Sequence, residues 1–60
     1  MMRVDDLIKL CKKLAPSQGF YGRLLAQLED ADEEMLADID IAMQGANLND
    51  ELDIIMWLEG

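Results

Sequence analysis

The chain has no histidine and no threonine, and only one serine, one cysteine and one proline. These shortages exclude most catalytic chemistry. General acid–base work at neutral pH usually falls to histidine, and an activated nucleophile needs a base beside it. Ser17 has no such base nearby in sequence and reads as a helix cap. Cys11 falls on an apolar stripe, where a thiol is normally an inert core residue. One cysteine also excludes an internal disulfide and suits a reducing cytosol. No catalytic residue is assigned, and the chain is expected not to be an enzyme.

Long apolar runs are missing too. The longest, Ile54 to Leu58, has five residues, against roughly 18 for a membrane helix. The start, MMRVDDLIKL, carries acids where a signal peptide needs an apolar stretch, so secretion is not expected. From MMR to LEG the chain reads as one small reading frame, expected to act in the cytoplasm. Sixty residues allow a single small helical domain, 1–60, with a core worth roughly 3–5 kcal/mol.

Positive charge is absent from most of the chain. All five Lys and Arg lie at or before Arg23, with only Asp5 and Asp6 among them, a net +3. From Leu24 onward there are eleven acids and no base, a net −11. Direct nucleic-acid binding is therefore not expected, because phosphate contacts need Lys and Arg. A basic protein is the partner such a field would steer.

What is present is helical periodicity. The pattern predicts an all-α fold, a compact bundle of four short helices at about 4–14, 18–29, 33–44 and 49–58. In the first, Val4, Leu7, Ile8, Leu10, Cys11 and Leu14 form the apolar face, and Pro16 is expected to end it by disfavouring helix at Ala15. Ser17 is the expected cap of the second, whose face is Phe20, Tyr21, Leu24, Leu25 and Leu28. Asp30 or Asp32 should cap the third, which presents Met35, Leu36, Ile39, Ala42 and Met43. Gly45 is expected to close that helix in a left-handed turn. Asn47 or Asn49 should cap the fourth.

Two glycines open the second helix, in SQGFYGR. On a helical wheel Gly19, Gly22 and Ala26 fall together, opposite the aromatic face. A strip of small residues implies close helix packing there, with the second helix central. A phosphate site at this helix start is the alternative, but the stretch lacks the lysine of a P-loop and the chain is negative.

Two acidic stretches resemble calcium loops at first sight. DADEEMLADIDI, from Asp30, has Met35 where the loop needs glycine and Ile41 where it needs glutamate. NLNDELDIIMWL, from Asn47, fails likewise at Leu52 and Leu58. No metal site and no cofactor is expected.

Two candidate surfaces are left. The fourth helix is apolar almost all round, which implies deep burial or a partner. Ile54, Met56, Trp57 and Leu58 are its candidate docking residues, for another protein or for a second copy, and Ile41 is an isolated apolar candidate among acids. The second surface is an acidic face of Glu29, Asp30, Asp32, Glu33, Glu34, Asp38 and Asp40. It suggests an alternative role: a nucleic-acid mimic, of the kind phages and mobile elements encode, that blocks a basic nucleic-acid-handling protein.

Overall fold

The computed structural model describes residues 1–60. It contains four helices and no strand: α1 (Val4–Leu14), α2 (Gly19–Asp30), α3 (Glu33–Gly45) and α4 (Glu51–Glu59). The all-α bundle expected from periodicity is the observed fold, with boundaries shifted by at most two residues.

Helix α1 is the hub. Helices α2, α3 and α4 each pack on α1, and their backbones scarcely approach one another. The periodicity predicts α2 as the central helix, whereas α1 holds that place in the structure. The reason lies in the α1 stripe, which spans a broad arc and can serve three neighbours. Leu7, Leu10 and Cys11 are buried, with Val4, Ile8 and Leu14 partly buried around them. Tyr21 and Leu28 from α2, Met43 from α3, Leu48 from the following loop and Ile54 from α4 complete one core cluster. The result is a flat molecule of 28 × 26 × 17 Å. Its thin dimension is less than two helix diameters, at roughly 10–12 Å each.

The helix ends explain most of the remaining differences. Ala15 keeps helical angles, φ −53° and ψ −41°, despite the proline that follows. Its N–H still reaches the Cys11 carbonyl, so the chain leaves α1 through a tight turn rather than an extended break. Ser17 does not cap α2. Its hydroxyl donates back to the Leu14 carbonyl, and Gln18 takes the cap position without a side-chain bond. Asp32 caps α3 as expected, accepting the Met35 N–H at 2.9 Å. Glu33 and Glu34 follow in the first turn, where the helix dipole favours acids.

Gly45 does not adopt the left-handed conformation. It is the last residue of α3, and the reversal comes two residues later at Asn47, with φ 55°. Asparagine tolerates that region better than most residues. The delay turns Leu48 into the core, where it is almost wholly covered. The Leu48 carbonyl accepts the Met2 N–H at 2.8 Å, which ties the chain start to this loop. Neither Asn47 nor Asn49 caps α4. Asp50 does, accepting the Asp53 N–H at 2.9 Å, while Asp53 accepts the Asn49 N–H at 2.8 Å. The two bonds satisfy two backbone donors and fix where α4 begins.

The glycine strip is not a packing seam. Gly19 and Ala26 are exposed. A Cβ at Gly22 would sit 3.9 Å from the Ala15 Cβ, an ordinary contact, and one at Gly19 would meet only the end of the Arg23 side chain. No neighbouring backbone lies close enough to require glycine.

Candidate interaction surface

Helix α4 is held to α1 by one side. Ile54 is 0% exposed and belongs to the core. Ile54 is therefore a core residue and not a docking residue, and α4 is not the most buried helix, since Leu52, Met56 and Trp57 are exposed. Leu58 and Ile55 are partly buried against the core. The opposite side of the helix faces outward. Leu52 and Met56, one turn apart, are each 61% exposed, and Trp57 at the flank is 36% exposed. Glu59, a turn beyond, is exposed and shares this outer side. Leu52 was missed from sequence as a docking residue, although its spacing of four from Met56 places both on one face.

The charges around this face are mostly negative. Asp50 and Glu59 are exposed, and Asp53 is half-buried. One base reaches α4: Lys13 of α1 pairs with Glu51 at 3.1 Å. Both partners are solvent-accessible, so that pair contributes little to stability.

Helix α3 presents its own outer face. Ile41 is 66% exposed, and Asp38, three residues earlier, is exposed beside it. Glu29, Asp30, Asp32, Glu33 and Glu34 are exposed as well. None of these acids has a basic partner. A shallow depression between α2 and α3 is lined by Gln27, Asp30, Ala31, Asp32 and Met35.

Asp40 does not belong to that free acidic face. It is buried and turned toward the chain start. Arg3 donates through Nε to Oδ1 at 3.0 Å and Oδ2 at 2.9 Å, and through Nη2 to Oδ2 at 2.6 Å. The Val4 N–H donates to Oδ1 at 2.9 Å and the Gln44 amide to Oδ2 at 3.0 Å. Hydrogen bonds from Arg3, then from Val4, hold the Asp40 carboxyl down at about 2, and the same pairing raises Arg3. Asp40 is thus a structural clasp between the start of α1 and the middle of α3. A signal for it existed in the sequence. Leu36, Asp40 and Met43 fall on one side of α3, and an acid inside an apolar stripe needs a partner.

Two further groups are removed from chemistry by burial. The Cys11 thiol is wholly covered, and desolvation raises its pKa. The Tyr21 phenol is raised by burial first and by Glu59 second. Phe20 stacks edge-on against Tyr21, ring centres 5.2 Å apart, and is otherwise exposed. No three acidic or thiol side chains converge as metal ligands. No helix is long and apolar enough to cross a membrane.

No family of known proteins, no curated protein and no solved structure matches the chain.

Proposed function

We propose that this chain is a small non-enzymatic protein–protein interaction module acting in the cytoplasm, and that it docks on a protein partner through the outer face of α4. One observation carries the reading: Leu52 and Met56 stand side by side, each 61% exposed, on a helix whose opposite side is already committed to the core. Trp57 stands at the flank, while Leu58 packs toward the core and leaves the docking set. Large apolar side chains gathered on the free side of one helix form the surface on which this reading rests. Aromatic and methionine side chains are the usual anchors of such sites.

The test compares immobilised wild-type chain with the Leu52→Ser/Met56→Ser double variant in lysate at moderate salt. The reading expects a partner held by the wild type and released by the double variant. Equal retention by both would refute it. A clean dimer of the free wild type, lost in the double variant, would assign the same face to a second copy.

A second reading rests on a different observation. Glu29, Asp30, Asp32, Glu33, Glu34 and Asp38 are exposed carboxylates without basic partners. Spaced in this way they support mimicry of phosphates toward a basic nucleic-acid-handling protein. Asp40, paired with Arg3, is not part of that set. Mimicry expects binding that weakens steeply with salt and fails in a Glu33→Gln/Asp38→Asn variant.

A further inference from the structure

We infer that the α4 face takes a basic amphipathic helix of a partner protein, rather than a second copy of this chain. The inference rests on the docking reading above and adds the chemistry of the occupant.

The argument starts from area. A helix of nine residues is roughly 13.5 Å long and about 10 Å wide, so its outer face projects only about 140 Å². Even with the relief of Leu52, Met56 and Trp57, this is a few hundred Å² at most. A standard stable interface buries about 800 Å² on each partner. Apolar contact on this face alone is therefore too small to hold a complex. The charges around it must contribute.

The charges that α4 itself carries have one sign. Asp50 and Asp53 cap the start of the helix, Glu59 stands near its end, and Lys13 of α1 is paired with Glu51. The whole chain carries −8. In a two-fold dimer each copy would present the same acid-bearing helix, setting acids of one copy against acids of the other. Like charges across an interface oppose association and so count against a second copy. A helix with a leucine stripe and Lys or Arg on its flanks reverses that sign. Its leucines meet Leu52 and Met56, and its ammonium or guanidinium groups meet the carboxylates of α4. Helix-on-helix contacts of this kind are read through anchors one turn apart, which is the spacing of Leu52 and Met56.

The experiment uses two synthetic peptides with the same leucine stripe, one flanked by lysine and one by glutamate. Binding to the full chain is followed by fluorescence anisotropy of the labelled peptide. The lysine peptide should bind, and the glutamate peptide should bind at least about tenfold more weakly. The Leu52→Ser/Met56→Ser variant should lose at least about tenfold in affinity for the lysine peptide, as expected for anchor residues. Circular dichroism checks that this variant keeps its helix content. Glu59→Lys provides an independent arm: it should weaken the lysine peptide and strengthen the glutamate peptide.

Equal binding of the two peptides, with loss in the double variant, would overturn the basic occupant and leave the docking face standing. Lysine-peptide binding that ignores the double variant would overturn both. A wild-type dimer that the double variant abolishes would overturn the inference in favour of a second copy. No binding of either peptide would overturn it outright.

Discussion

Replacing Gly22 by alanine should make the protein more stable. A glycine inside a helix costs about 1 kcal/mol relative to alanine, largely through the freedom it lends the unfolded chain. The usual compensation is a close backbone approach that a methyl group would block. Gly22 has none. The added Cβ meets the Ala15 Cβ at 3.9 Å, and the glycine does not have a positive φ. The methyl group therefore gains an ordinary contact instead of a clash. The expected gain is about 1 kcal/mol. For a domain of this size that raises Tm by about 4–8 °C. Thermal unfolding followed by circular dichroism measures it, and urea unfolding at an unchanged m value confirms that the native state moved. The opposite reading predicts the opposite sign, because overpacking a tight helix contact costs about 1–3 kcal/mol. A lower Tm in Gly22→Ala would show that α2 is closely packed on its glycine side and would refute the arrangement described. Gly45→Ala should also stabilise, since a Cβ there meets nothing within 4 Å. Its gain should be smaller because Gly45 occupies the last position of α3.

Three other outcomes follow from the core and its clasp. Ile54→Val should lower stability by about 0.5–1.5 kcal/mol, read from the urea midpoint, whereas Leu52→Ser should leave it nearly unchanged; equal losses would place α4 differently. Asp40 should contribute stability that is fully present above its ordinary value of 3.8 and is lost as pH falls toward about 2. Asp40→Asn should therefore be less stable than wild type at neutral pH, and the gap should close in acid; a gap that does not narrow between pH 5 and pH 2 contradicts the clasp. Cys11, covered and with a raised pKa, should react with an alkylating reagent only as fast as the protein opens, so labelling at the rate of a free thiol would count against the core.

The sequence made the helices legible because their apolar residues repeat at 3.6-residue spacing. That pattern alone puts Leu7, Cys11, Leu28 and Met43 on inward faces, and all four are buried. Helix ends were less legible, because a cap depends on where the chain turns. Ser17 has the right chemistry for a cap, yet its hydroxyl turns back to Leu14. Asp50 takes the role expected of an asparagine because α4 begins later. Packing order was hidden as well. Two helices with broad apolar arcs compete to be central, and only the tertiary fold decides for α1. The clasp escaped because charge was read as surface. Arg3 and Asp40 lie 37 positions apart, and no local rule joins them. On α4 the pattern was ambiguous for a different reason: with apolar residues on nearly every side, periodicity cannot say which are inside. Burial separates Ile54, in the core, from Leu52 and Met56, outside it.

The most direct test of the central claim is a two-dimensional nitrogen–proton NMR titration of the labelled chain with the lysine-flanked leucine peptide. The account predicts amide shift changes concentrated on α4, at Leu52, Met56 and Trp57, which weaken but keep that location at moderate salt. Changes confined to Glu29 through Asp38, and erased by salt, would contradict it and move the functional surface to the acidic faces of α2 and α3.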